Sequence, residues 1–273
     1  MMRRRHLIAL ILTGAILVAL YCPVFIWLIP VWLDDPYYSH GFLILPVSAF
    51  IVWTRRKELI MTKPLSLGAV VFAAGLIVYI LGFMWKIYWL WAFSFLIVVF
   101  GLTLYFGGTK TARSMRFPVC FLIFMIPLPF LDSIGLFLQS LTARCSASIL
   151  AAVGIAVTRT GAEIRLADSA FIIATPCSGM NTLISLLMLT ALLGYILKGS
   201  IYKRLVLFLL AFPIAIFANL VRIVSVLLIG YHWGAEAAMT YFHHYSSLVF
   251  YLVALLLIGL IAWLFQLPLA RRP

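Results

Sequence analysis

Three kinds of side chain that together can carry out acyl transfer stand far apart in the second half of this sequence. Cys177 precedes an apolar run, Arg222 lies inside a second one, and His243 and His244 stand just before a third. A cysteine attacks a carbonyl carbon, and an imidazole removes the thiol proton and later protonates the leaving amine. An arginine stabilises the thiolate or the oxyanion of the tetrahedral intermediate. These residue types predict Cys177 as nucleophile, Arg222 as stabilising cation and one of the two histidines, His243 or His244, as general acid and base.

The residues around Cys177 predict where its thiol lies. Pro176 does not fit inside a regular helix, and Ser178 is a favoured N-cap for the apolar run that follows. Cys177 is therefore expected at the N-terminal end of a helix. Unpaired backbone N–H groups and the helix dipole favour a negative charge there, so the sequence also predicts a stabilised thiolate.

The composition requires a membrane around these residues. Of the 273 residues, 66% are hydrophobic and only 10% are charged, which a soluble domain of this size would not tolerate. We expect one all-α integral membrane domain over residues 1–273, a polytopic helical bundle whose first span is retained. About eight transmembrane helices are predicted, over residues 7–29, 42–53, 67–84, 88–106, 117–131, 180–197, 205–229 and 245–265.

Two stretches between the predicted spans have other patterns. Residues 132–157 read as a more polar helix, which either lies along the membrane interface or packs among the spans. Residues 158–174 alternate polar and apolar side chains around Gly161. This alternation predicts a small β-hairpin that leads into the cysteine.

The distribution of lysine and arginine predicts the orientation. With the N-terminus in the cytoplasm, eight spans put the 20 basic side chains on the cytoplasmic side except for five: Lys86, Arg144, Arg159, Arg165 and Arg222. We expect both termini in the cytoplasm, which puts Cys177 and His243 at the outer surface. Arg222 follows Arg204 by 18 residues, about 27 Å of helix, and reaches the same surface. The net charge of +13 has this topological origin and does not indicate nucleic-acid binding.

Two other functions fit part of this set. A transporter or flippase would use Arg222 and His243 to bind an anionic substrate without a thiol, although such proteins usually contain internal repeats, and none is found here. A membrane thiol oxidoreductase would need a second cysteine beside Cys177, and the sequence offers no obvious one. The cysteines show neither CxxC pairs nor metal-ligand spacing, so neither a metal nor a cofactor is expected.

The order of short motifs along the chain resembles the exosortase/archaeosortase family. The matching segments are Tyr38-Ser39-His40-Gly41-Phe42, Phe124-Met125-Ile126-Pro127-Leu128-Pro129, Cys177-Ser178-Gly179, Asn219-Leu220-Val221-Arg222 and Phe242-His243. The resemblance implies a membrane-embedded cysteine transpeptidase that cleaves a C-terminal sorting signal, of the Pro-Glu-Pro (PEP-CTERM) type in many bacteria. The product passes through a cysteine thioester to an acceptor. The family's Cys, Arg and His fall on Cys177, Arg222 and His243, whereas Ser247 stands where the family usually has glycine.

The remaining expectations concern what the protein binds and where it lies. Tyr38, His40, Ser178 and Asn219 are predicted to contact the substrate. The expected partners are membrane-tethered proteins with a sorting tail, the lipid bilayer and proteins of exopolysaccharide assembly, and not nucleic acid. The expected location is the cell inner membrane, crossed several times, with the active site on the periplasmic side.

Overall fold

A computed structural model describes residues 2–60, 65–166, 169–241 and 245–268 of the chain. Phe242, His243 and His244 lie outside these described residues. Within the described ranges the chain forms eight α-helices: α1 (Met2–Asp34), α2 (Gly41–Thr54), α3 (Ser66–Met84), α4 (Tyr88–Phe121), α5 (Phe130–Ala152), α6 (Met180–Ile196), α7 (Ile201–Tyr241) and α8 (Ser247–Leu264). Short 3-10 helices cover Arg56–Glu58, Leu122–Met125 and Thr175–Ser178. The mostly helical class predicted from the sequence is therefore confirmed.

The eight predicted spans do not correspond one for one to these helices. In the described ranges, six helices are long and apolar enough to cross a membrane, which supports a multi-pass membrane protein. The other two, α2 and α6, are apolar but have only 14 and 17 residues. At 1.5 Å per residue they extend about 21 Å and 26 Å, short of a hydrocarbon core of about 30 Å.

Helix α4 contains the predicted span 88–106 and the first five residues of the predicted span 117–131, and it doubles back between them. Trp27 of α1 stacks on Tyr88 with ring centroids 5.3 Å apart, and Trp32, five residues later, donates a hydrogen bond to the Met125 carbonyl at 2.8 Å. A straight helix would separate residues 88 and 125 by about 55 Å. The reversal occurs at Gly108, whose φ of 65° and ψ of −170° are accessible to glycine and not to other residues.

The chain divides into two compact units, Met1–Leu128 and Pro129–Pro273. In the first unit, α3 lies against the first arm of α4 through glycines. A Cβ at Gly101 would stand 2.5 Å from the Phe72 backbone nitrogen, so only glycine permits this approach. Whether both units act as the single domain predicted from the sequence stays a prediction.

The second unit contains α5 to α8 and a three-stranded antiparallel sheet in the order β1-β2-β3. Its strands are β1 (Thr158–Thr160), β2 (Glu163–Arg165) and β3 (Ala170–Ile172). The predicted hairpin thus has a third strand. Ile164 of the central strand is fully buried in a core that also contains Leu150 of α5 and Leu227 of α7. This core supports the segment that carries Cys177, which packs against it.

Helix α5 corresponds to the more polar helix predicted over residues 132–157. Its Gln139 side chain donates a hydrogen bond to the Ile173 carbonyl, and its Thr142 hydroxyl lies 3.5 Å from the Asn219 amide nitrogen of α7. Of the two alternatives left open by the sequence, packing among other elements is the one observed.

Hydrogen bonds show which ends of α6, α7 and α8 lie together. At one end the Lys198 amide donates to the Pro268 carbonyl at 2.9 Å, and the Lys203 ammonium donates to the Phe265 carbonyl at 2.9 Å. At the opposite end Asn219 contacts Cys177, and Arg222 contacts Ser246. The lysine-bearing end and the cysteine-bearing end of this three-helix group are therefore opposite.

Candidate active site

Cys177 lies in a short 3-10 helix, Thr175–Ser178, immediately before α6. Its amide donates a hydrogen bond to the Ala174 carbonyl at 2.8 Å. The N-cap of α6 is Gly179, with φ 90° and ψ 4°, and not Ser178 as predicted. The connection between the 3-10 helix and α6 requires a residue with a left-handed backbone conformation, and glycine adopts that conformation without strain. The position of the cysteine at a helix end is thus observed, with the cap one residue further along.

The Cys177 thiol is half-buried and feels two opposing influences. Burial raises the pKa of Cys177, whereas the positive charge of Arg222 and a backbone hydrogen bond lower it, and burial has the larger effect. The prediction of a stabilised thiolate is therefore wrong for the resting protein. Desolvation outweighs the favourable charges near this helix end, so the thiol must lose its proton to a base before it can attack.

Asn219 of α7 holds the turn that contains Cys177. Its side-chain amide donates to the Cys177 carbonyl at 3.1 Å, and the side chain lies against Gly179 so closely that a Cβ there would be 2.8 Å from the Asn219 Cβ. Asn219 is only 2% exposed. Its Oδ1 atom is buried and accepts no hydrogen bond from the described part of the chain. A buried carbonyl without a donor is unfavourable, which makes it a candidate acceptor for a substrate N–H.

Arg222 follows Asn219 by three residues on α7, so both side chains leave the same face of the helix. The arginine is buried, and its Nε donates to the Ser246 hydroxyl at 3.1 Å. Sequence reasoning missed Ser246. The available signal was a serine at the start of the last apolar run, at the depth predicted for Arg222 and Cys177.

The chain on both sides of the two candidate histidines lies beside Arg222. Helix α7 bends at Gly234, with φ 87° and ψ 168°, and returns so that the Tyr241 hydroxyl is 3.5 Å from the Ser225 hydroxyl. Sixteen residues of straight helix would separate these two positions by about 24 Å. Ser225 in turn donates to the Arg222 carbonyl at 2.7 Å. His243 and His244 are themselves outside the described residues.

Two predicted substrate contacts, Tyr38 and His40, belong to the first unit and hold another motif there. His40 Nε2 donates to the Phe124 carbonyl at 2.9 Å, and the Tyr38 hydroxyl accepts from the Leu128 amide at 2.9 Å. With the Trp32–Met125 hydrogen bond, these contacts form a clasp between residues 32–40 and residues 124–128. Burial lowers the pKa of His40, so this imidazole is neutral at pH 7.

Ser178 is the remaining predicted substrate contact, and it lies in the same turn as Cys177. Ser178 is 2% exposed, and its hydroxyl accepts from the Met180 amide at the long distance of 3.4 Å. Among the residues the structure describes, no three His, Cys, Asp or Glu side chains converge as metal ligands would.

A model of the transmembrane exosortase family matches residues 32–260, a range that includes all five motifs. No curated protein and no solved structure matches the chain.

Proposed function

Because this chain belongs to the transmembrane exosortase family, a family of membrane transpeptidases, we propose that it is a cysteine peptidase and transpeptidase with Cys177 as its nucleophile. The single observation that carries the proposal is the half-buried Cys177 thiol, which stands on a turn whose backbone carbonyl accepts from Asn219 and which is influenced by the buried charge of Arg222. This arrangement occurs at one end of the α6–α8 group, and we propose that a membrane-tethered polypeptide reaches it there.

The first half of the reaction forms a thioester. His243 accepts the thiol proton as the Cys177 sulfur attacks a substrate peptide carbonyl. The oxyanion that develops lies toward Arg222, whose guanidinium carries five N–H donors in a fixed plane. His243 then gives its proton to the leaving amine, the C–N bond breaks and the acyl group stays on sulfur. His244 takes this role if His243 does not.

The second half of the reaction releases the product. An acceptor amine or water attacks the thioester carbonyl, and His243 accepts the proton that the nucleophile loses. Arg222 again stabilises the oxyanion. The C–S bond then breaks, and the thiolate recovers its proton from His243, which restores the resting thiol that the raised pKa of Cys177 favours.

We propose substrate contacts in the second unit, and two further predicted contacts belong to the first unit. The unpartnered Asn219 Oδ1 accepts a backbone N–H of the bound peptide, and this N–H would remove the unfavourable burial of that oxygen. Ser178 stays a predicted contact within the same turn. Tyr38 and His40 remain predicted contacts of the first unit, although the clasp already accounts for their hydrogen bonds.

The substrate proposed is an exported protein that ends in a sorting tail of the PEP-CTERM type, anchored by an apolar helix. The proposed setting is the cell inner membrane, with both termini in the cytoplasm, the active site on the periplasmic side and exopolysaccharide-assembly proteins as partners. The asymmetry of lysine and arginine supports this orientation.

The test is the processing of a tail-bearing reporter by the full chain in membranes. Cys177→Ala should abolish cleavage, and mass spectrometry of the wild-type protein should recover a reporter fragment bound to Cys177. Cys145→Ala is the matched control, since Cys145 is also a half-buried cysteine of the second unit, and it should process the reporter normally. Cleavage at the wild-type rate by Cys177→Ala would refute the proposal.

A further inference from the structure

The first unit contains an apolar cavity at the bend of α4. Its volume is about 470 Å³, within the range of roughly 300–1,000 Å³ that is usual for small-molecule sites. Both arms of α4 line it, together with α1 and the segment after α2. Representative lining residues are Leu17, Leu59, Val99, Phe106 and Met115. Most of the remaining lining residues are apolar too, so the walls favour an apolar ligand.

The cavity is open on the side of residues 59 and 60. Ile60 lines it and is 54% exposed, and Gly14 on α1 also faces open space, since a Cβ there would meet no atom within 4 Å. A hydrocarbon chain can therefore enter from the bilayer without displacing a side chain. Trp53, at the end of α2, is exposed beside this opening and lies under the Arg56 guanidinium at 4.5 Å, a pairing suited to the head-group level of a membrane.

Basic side chains occur in two of the segments that line the cavity, and these segments contact each other where the Ile60 amide donates to the Thr111 hydroxyl at 3.2 Å. Exposed basic side chains precede or follow lining residues on both segments: Arg56 and Lys57 before Leu59, and Lys110 and Arg116 next to Thr111 and Met115. The one acidic side chain in these two segments is Glu58. Its carboxylate already binds Arg55 at 3.0 Å and the Ser114 hydroxyl at 2.7 Å. These two segments, which line an apolar cavity, therefore carry an excess of positive charge.

We infer that this cavity binds an acyl chain of an anionic phospholipid, whose phosphate head group lies against the basic side chains at the opening. Each part of the site binds one part of the lipid. The apolar walls of the cavity accept a hydrocarbon chain, and Lys110 and Arg116 attract a negative head group. A free phosphate would leave the cavity empty, and a zwitterionic lipid would gain little from the charges. The lipid bridges both arms of α4 and thereby stabilises the reversal at Gly108.

The experiment measures lipid binding to the full-length protein in a neutral detergent. Native mass spectrometry and thermal unfolding are recorded with palmitoyl-oleoyl phosphatidylglycerol, with the matching phosphatidylcholine and with inorganic phosphate. Phosphatidylglycerol should stay bound and raise the unfolding temperature, whereas phosphatidylcholine and phosphate should not. Equal effects of both lipids would overturn the selection by charge, and an equal effect of phosphate would overturn the role of the cavity.

Two variants test the two parts of the site separately. Lys110→Gln with Arg116→Gln should weaken phosphatidylglycerol binding roughly thirtyfold, since each basic side chain near an anionic head group contributes about a fivefold factor. Lys86→Gln is the control, because Lys86 is an exposed lysine at the other end of the α3–α4 pair, and it should bind normally. Gly14 lines the cavity and a Cβ there meets no atom within 4 Å, so Gly14→Leu should narrow the cavity and weaken binding while the protein still folds. Unchanged binding by a correctly folded Gly14→Leu protein would refute the inference.

Discussion

Two sets of polar side chains, one in each unit, differ in how completely they are paired. In the clasp of the first unit, Trp32, Tyr38 and His40 each have a backbone partner among residues 124–128, at 2.8 to 2.9 Å. In the second unit, the Asn219 Oδ1 atom has no donor in the described chain although it is buried. Paired polar groups stabilise a fold, whereas the unpaired Asn219 oxygen is unfavourable in the resting protein. We therefore expect the clasp to have a structural role, and the function proposed for the Cys177 end gives the unpaired oxygen a donor from the substrate.

The largest effect expected from this difference is on Arg222. Arg222→Gln should lower the rate constant of reporter cleavage by roughly 10²–10³, the usual loss when one oxyanion donor is removed. Arg165→Gln is the control, because Arg165 is an exposed arginine of the same unit that pairs with Glu163 at 2.7 Å among the residues the structure describes. Cleavage by purified protein, measured at saturating reporter, gives the rate. A loss of less than threefold by Arg222→Gln would show that the buried cation is structural.

Asn219→Ala should separate activity from stability. Without its amide, the Cys177 carbonyl loses a donor and the thiol moves, for which we expect a rate constant roughly tenfold to a hundredfold lower. The unfolding temperature should change little, because the same substitution removes a buried unpaired oxygen. Cleavage rate and thermal unfolding are measured on the same preparation. A large fall in unfolding temperature with a normal rate per folded molecule would place Asn219 with the clasp residues.

Tyr38→Phe should have the opposite pattern. Loss of the hydroxyl leaves the Leu128 amide without its acceptor, for which we expect the free energy of unfolding to fall by about 1–3 kcal/mol. The cleavage rate per folded molecule should stay within twofold. Tyr88→Phe serves as control, because Tyr88 is an exposed tyrosine of the same unit. Should Tyr38→Phe slow cleavage tenfold at normal stability, Tyr38 would be a substrate contact, as the sequence first suggested.

The sequence predicted much of the helical framework, because apolar length and charge asymmetry act locally. Span three, predicted over residues 67–84, is α3, Ser66–Met84, and the start predicted for span four coincides with Tyr88. The spans predicted over residues 88–106 and 117–131 leave residues 107–116 as their connection. It is helical apart from the bend at Gly108, because one glycine is sufficient to reverse the chain there. The lysine and arginine pattern indicated that the chain reverses between these two spans, but it did not indicate that a single glycine makes the reversal.

Candidate site residues could be predicted by type, but their contacts could not. Cys177, Arg222 and Asn219 stand out because polar groups are rare in this chain. Ser246 is one serine among several, and its hydrogen bond to Arg222 depends on how α7 and α8 pack. The raised pKa of Cys177 likewise depends on burial by Ile173, Ile223 and their neighbours, which come from separate elements. Such effects depend on tertiary packing and leave no local pattern.

The smallest effect, and the most direct measure of the second unit's electrostatics, is the pH dependence of Cys177 alkylation. Only the thiolate reacts, and burial raises the pKa of Cys177, so alkylation at pH 7 should be slower than that of a free thiol and should increase toward alkaline pH. The Arg222 charge lowers this pKa, hence Arg222→Gln should move the profile to still higher pH. Iodoacetamide labelling is measured in a protein with Cys22, Cys120 and Cys145 replaced by alanine. A profile that Arg222→Gln leaves unchanged, or moves to lower pH, would mean that the arginine does not act on the thiol. The second unit would then lack the electrostatic interaction between Arg222 and Cys177, which has no counterpart in the clasp of the first unit.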